Sequence, residues 1–230
     1  VDLEEAKSIQ ETLTKKLKFT VLGQLPRLIA GVDLSYTKKD GQEHALAVIA
    51  VLSFPDFELV EKKFLTTKVA FPYIPGLLSF REAPPILKVW KRLNHEPEVV
   101  FFDGHGIAHP RGLGLASHMG LWINRPTIGV AKKRLYGTVA HAPAKQGDQE
   151  PILHPESGVP IGVVLQPKEG FNPLYVSVGN LITLEDAAHL TQLCILSRYR
   201  LPEPTRVAHY LSQKIKSERA IQESESISEN

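Results

Sequence analysis

LIAGVDLSYTKKDGQEHALAVIAVLSFPDFELVEKKF, residues 28–64, contains three apolar runs of strand length, at 28–36, 45–53 and 57–64. They are joined by KKDG (38–41), a hairpin-like turn, and by Pro55-Asp56. Connections this short pair consecutive strands antiparallel, so the stretch reads as a meander. Downstream the pattern changes. Residues 83–93 carry a helical pattern, EVVFFD (98–103) is a short apolar run closing on an acid, 112–124 is again helical, and TIGVA (127–131) is a second buried-strand candidate. Strands alternating with helices imply parallel pairing through crossover helices. A meander followed by βαβ predicts an α/β fold, one mixed sheet flanked by helices.

The rest of the chain fits around that unit. Residues 1–17 place Leu3, Ala6, Ile9, Leu13 and Leu17 on a helical stripe. The stretch 136–160, rich in Gly, Pro and His, reads as loops. Strands are expected at 161–165 and 174–178, and helices at 184–196 and 204–215. A single domain is expected over 1–216, with a frayed tail over 217–230.

Composition sets outer limits. Of 230 residues 43% are apolar and 23% charged, which suits one globular domain with a sizeable core. The one cysteine, Cys194, excludes a disulfide framework and a multi-cysteine zinc site, and suits a reducing compartment. There is no apolar run of about 18 residues and no basic-then-apolar leader, so the expectation is a cytoplasmic chain without a membrane partner. A monomer is the default. The net charge of +2 permits a nucleic-acid partner without arguing for one.

Three acids stand out. Asp33 lies inside the apolar strand GVDLSY, where a carboxylate costs several kcal/mol unless it is paired or holds a metal. Asp103 ends the strand VVFFD, at the carboxyl edge where open α/β sheets place ligands, although Asp-Gly is also a common turn. Glu82 could close a capping box with Ser79, but Pro84 and Pro85 would then fall within the helix. A helix beginning beside the prolines would instead leave Glu82 at its start. Acids on the first strand, near the first helix and ending the fourth strand suggest a ribonuclease-H-like arrangement, with strands one and four adjacent. Adjacent carboxylates repel unless a divalent cation neutralises them, and oxygen-only ligation favours magnesium or manganese. His109 could orient water near neutral pH. Lys132, Lys133 and Arg134 directly follow TIGVA and could contact phosphates.

The blocks FPYIPGLLSFRE (71–82), VVFFDGHGIAHPRGLGLASHMGL (99–121), PTIGVAKKRLYG (126–137) and RLPEPTR (200–206), together with GVDLSY (31–36), resemble the signature blocks of the endonuclease V family. The resemblance implies a ribonuclease-H-like fold and dependence on Mg2+, with Mn2+ as substitute. It also implies hydrolysis of the second phosphodiester bond 3′ to inosine in DNA or RNA. Asp33, Glu82 and Asp103 match the family's metal-binding acids, and His209 a position near the metals. Lys132 matches a lysine near the scissile phosphate, and His109 a histidine of the same block. Pro72, Tyr73, Ile74 and Pro75 match the strand-separating wedge. Backbone groups near Gly76, Leu78, Gly104 and Leu115 are expected to form the base pocket. One departure is visible: Asn180 follows Gly179 where the family carries histidine. Alternatives are another ribonuclease-H-like repair or junction nuclease, or a non-catalytic binder of inosine-containing nucleic acid. A sugar-kinase-type phosphotransferase lacks support, since no GxxxxGK[ST] loop is present.

Overall fold

Side chains of a strand alternate between the two faces of its sheet, and strand β1 (Leu28–Lys39) packs on both. Ala30 and Val32 join a buried cluster with Ala83, Ile86 and Val89 of helix α2 (Leu78–Trp90). Gly31, Asp33 and Ser35 turn the other way, toward helix α5 (Glu203–Ser228). The computed structural model describes residues 2–39 and 41–228, without the side chains of 39 and 219–228. Asp40 of the turn read at 38–41, and the last two residues of the tail read at 217–230, lie outside the described residues. The backbone of α5 continues as helix through the rest of that tail to Ser228, where the sequence reading expected fraying.

The other elements are α1 (Leu3–Thr14), β2 (Gln42–Ser53), β3 (Leu59–Lys68), β4 (Val99–Phe102), α3 (Leu115–Ile123), β5 (Thr127–Ala131), β6 (Gln149–Leu153), β7 (Pro160–Leu165), β8 (Leu174–Asn180) and α4 (Leu184–Leu193). They build a sheet in the order β3-β2-β1-β4-β5-β8-β7-β6. The β1–β2 and β2–β3 pairs are antiparallel, and β1–β4 and β4–β5 are parallel. This is the meander followed by βαβ, and the fold is ribonuclease-H-like. Beyond β5 the sheet returns to antiparallel pairing through β8, β7 and β6. No helix among the described residues is long and apolar enough to cross a membrane.

Two features differ from the sequence reading. The loop region 136–160 contains β6, an edge strand whose Pro151 masks its strand pattern; an edge position tolerates a missing N–H. Helix α2 begins at Leu78, with Pro84 and Pro85 inside it and no side-chain cap. Glu82 therefore lies in its second turn rather than at its start. Burial of Ala83, Ile86 and Val89 against β1 and β2 outweighs the backbone hydrogen bonds that the prolines cannot donate.

Strand β2 is covered on both faces. Ala47, Ile49 and Val51 pack toward α2, while Leu46, Val48 and Ala50 meet Ala208, Leu211 and Ile215 of α5. Helix α5 can lie this close because of Gly31. A Cβ there would stand 1.8 Å from the carbonyl oxygen of Pro204 and 2.9 Å from the nitrogen of Thr205. Gly31→Ala must push the start of α5 off the sheet. The expected cost is about 3 kcal/mol, at the upper end for overpacking, read from the urea midpoint. A variant as stable as the wild type would show that this contact does not set the position of α5.

Candidate active site

The parallel register pairs Val32 with Phe102, so Asp33 and Asp103 follow as the next residues of neighbouring strands. Ile29, Val99 and Phe101 share one cluster, and period-two alternation places both acids on that same face. Strand β4 ends at Phe102, so the two carboxylates meet where the sheet opens at its carboxyl edge. Asp33 is 5% exposed. Its Oδ1 lies 3.2 Å from Nδ1 of His209 on α5, whereas its Oδ2 is buried without a hydrogen-bond partner. Burial pushes the Asp33 carboxyl above the usual range and Asp103 adds to the rise, against the opposing pull of Ser212 and His209.

Glu82 reaches the same neighbourhood from α2. It is buried and accepts a 2.9 Å hydrogen bond from the Tyr36 hydroxyl. Burial, then the nearby charges of Asp103 and Asp33, lift its carboxyl to about 7 despite the bond from Tyr36. Tyr36 in turn lies under the Arg81 guanidinium, 4.5 Å from its ring centre, and Arg81 pairs with Glu43 at 2.6 Å. Sequence reading missed Tyr36 and Arg81 in this role, although both lie within quoted blocks. Lys132, one residue past the end of β5, donates to Asp103 Oδ2 at 2.6 Å. Asp33, Glu82, Asp103, Lys132 and His209 thus gather at one end of the sheet.

The donors suit a hard divalent cation: three neighbouring carboxylates, of which Asp33 and Glu82 are raised by burial and by the charge of Asp103, and a buried carboxylate oxygen with no partner. Among the described residues no three His, Cys, Asp or Glu side chains already converge as a preformed metal cluster. Lys132 partly neutralises Asp103 in their place.

His109 is not part of this group. It is 5% exposed, its Nε2 lies 3.1 Å from the Gly76 carbonyl, and its Nδ1 accepts from the Arg111 N–H at 3.2 Å. Burial, then the charge of Arg111, push its imidazole down to about 4, so it is neutral at pH 7. Its place is the wall of a cavity of about 260 Å³, near the lower end for small-molecule sites. Tyr73, Ile74, Pro75, Gly76, Leu78, Gly104 and Leu115 line that cavity, with Lys133 and Arg134 at its rim. Leu78 opens α2, and Leu115 opens α3 after an N-cap at Gly114. Neither helix has a side-chain cap or an acid in its first turn; the Phe80 and Ala116 N–H groups already bond the Leu77 and His105 carbonyls, so the N–H groups of Leu78 and Leu115 and the two positive dipole ends are left for a ligand's acceptor atoms. Tyr73 stands at the mouth, 68% exposed.

Asn180 is elsewhere. It pairs with Thr127 at the start of β5, the end of the sheet opposite Lys132. Its Oδ1 accepts from the Lys18 N–H at 2.9 Å and its Nδ2 donates to the Gly120 carbonyl at 3.2 Å. The departure from the family blocks is therefore a buried structural amide, remote from the carboxylates.

Comparison with known proteins agrees with this geometry. The Endonuclease V family model matches residues 10–210. An endonuclease V of Thermosipho melanesiensis is 48% identical over 215 residues, 94% of this chain and 92% of that protein. The crystal structure of the Bacillus subtilis endonuclease V superposes with a TM-score of 0.90 at 28% identity, covering 96% of this chain and 95% of that one. Endonuclease V of Ciona intestinalis, in complex with a 24mer DNA containing an inosine followed by a ribo-adenosine, superposes with a TM-score of 0.81 at 30% identity, covering 94% and 98%. With the family matched across most of its length on a ribonuclease-H-like sheet, this chain belongs to the endonuclease V family of nucleases.

Proposed function

We propose that the protein hydrolyses the second phosphodiester bond 3′ to an inosine, leaving 3′-hydroxyl and 5′-phosphate ends, with Mg2+ as cofactor and Mn2+ able to replace it. The observation that carries this reading is continuity: the loop that begins at Asp103 runs through Gly104 into the wall of the base-sized cavity and ends at Leu115. One segment thus links a base-holding pocket to the acids. A flipped hypoxanthine presents O6 and N7 acceptors, which suit the uncapped N–H groups of α2 and α3. Tyr73, held between Pro72 and Ile74-Pro75, fills the space left in the stack. Lys132, Lys133 and Arg134 face the strand's phosphates.

Asp33, Glu82 and Asp103 would hold the cation, with His209 beside Asp33. When bound, a divalent cation lowers the pKa of water and stabilises charge on the leaving oxygen. The side chains supply the negative charge, and the Lys132 ammonium, released from Asp103, is placed to contact the phosphate. The complex of the Ciona protein supports inosine as the recognised base.

Paired DNA and RNA oligonucleotides with one inosine, incubated in Mg2+ or EDTA, test this reading. Cuts at the second bond 3′ to inosine, only with the metal, are expected; Asp103→Ala should abolish them while sparing inosine binding. Cleavage in EDTA, or full turnover by Asp103→Ala, would refute it. The faster polymer names the preferred substrate.

A second test uses pH. Glu82 titrates near 7 when folded, against an ordinary value of 4.5. A raised carboxyl stabilises the fold below its unfolded value, and that contribution is lost as pH climbs from about 4.5 through 7. Without divalent ions, Glu82→Gln should therefore gain on the wild type between pH 5 and pH 8, by on the order of 2 kcal/mol. Referring each value to the wild type cancels His109 and His118, both pushed down to about 4, which act in the opposite sense. Mg2+ should narrow the gap. Parallel stability curves for the two proteins would rule out the buried charge.

A further inference from the structure

Helix α1 supplies no carboxylate to the site, yet one of its side chains is tied into the pocket wall. Gln10 is 1% exposed. Its Nε2 donates to the Gly76 carbonyl at 2.9 Å and to the Leu113 carbonyl at 3.2 Å, and its Oε1 accepts from Arg111 Nε at 2.5 Å. Gly76 and Leu113 both line the cavity, Gly76 at the end of the wedge loop and Leu113 just before α3. The amide orientation is forced. A guanidinium only donates and a carbonyl only accepts, so a flipped amide would set donor against donor and acceptor against acceptor.

The Gly76 carbonyl also receives Arg111 Nη2 at 2.9 Å and His109 Nε2 at 3.1 Å. Three donors on an oxygen with two lone pairs hold that peptide in one orientation. Gly76 has φ +78°, a left-handed conformation in which a side chain would be strained, and an added Cβ would stand 2.8 Å from Arg111 Nη2. Thr14 adds a second tie from α1, its single hydroxyl proton shared between the Arg111 and Gln10 carbonyls, each 2.8 Å from Oγ1.

We propose that Gln10 is a positioning residue that locks the wedge-loop rim of the base pocket to its α3 rim, and so sets selectivity for inosine rather than the rate of cleavage. Asn is too short to span the rims, and Glu keeps the bond to Arg111 while turning an acceptor on two carbonyls. The inference rests on the pocket holding the inosine base, and its test separates the two ideas.

The full-length wild type, Gln10→Met and Gln10→Glu are compared well below the unfolding midpoint of each. Hydrogen exchange of residues 72–78 is measured without metal, and kcat and KM are measured on strands with inosine or adenosine. Both variants should exchange faster in 72–78 with the sheet unchanged. KM for the inosine strand should rise about tenfold, the scale of two lost buried hydrogen bonds, with kcat within about twofold. Selectivity over adenosine should fall in proportion. Unchanged exchange in 72–78, or a loss confined to kcat at constant KM, would overturn the proposal and leave Gln10 a purely structural amide. A wild type that leaves the inosine strand uncut would sink the pocket reading, and the exchange result would still decide whether Gln10 locks the rims.

Discussion

Mutual repulsion between carboxylates placed side by side is the constraint on which the rest of this molecule depends. The parallel β1–β4 register puts Asp33 and Asp103 on one face at adjacent strand positions, and α2 brings Glu82 in beside them. Three such groups, two of them buried, do not stay together and ionised without compensation. The compensation visible in the protein is partial. His209 touches one oxygen of Asp33, Lys132 takes one of Asp103, and Tyr36 donates to Glu82. Asp33 Oδ2 receives nothing, and Glu82 is left near its proton at neutral pH. An arrangement that costs stability in this way is expected where a cation is to be held.

The scaffold around it concentrates rigidity where the acids need it. Gly31 allows α5 to lie against β1, which sets His209 over Asp33 and Ser212 against Ser35. Arg81, stacked on Tyr36 and paired with Glu43, holds the hydroxyl that Glu82 accepts. The cavity beside it is built by a different means. Its polar groups are backbone N–H groups at two helix starts, backed by a network of Gln10, His109 and Arg111 on one carbonyl. The carboxylate group and the cavity thus use separate parts, joined through the loop from Asp103 to Leu115.

Much of this was legible in the sequence because short-range signals determine it. Turns at 38–41 and 55–56 allow only a meander, and helices between apolar runs imply crossovers, so the adjacency of β1 and β4 could be inferred. What could not be read depended on partners distant in the chain. The stripe reading of α1 chose Leu3, which is 44% exposed, and passed over Gln10, whose burial is satisfied by residues 76, 111 and 113. Pro151 concealed β6 because propensity does not reveal an edge position. Prolines argued against the true start of α2, where core packing prevails. His109 was read as able to orient water near neutral pH, yet a histidine's titration follows from what surrounds it, and here burial in the cavity wall pushes its imidazole down to about 4.

The most direct test of the central claim is uptake of Mn2+ by the full-length protein at neutral pH, with free ion followed by electron paramagnetic resonance. The wild type is expected to take up the ion, and Asp33→Asn and Asp103→Asn to lose that uptake while remaining folded. Equal uptake by all three, or none by the wild type, would contradict the claim that these carboxylates are gathered to hold a cation.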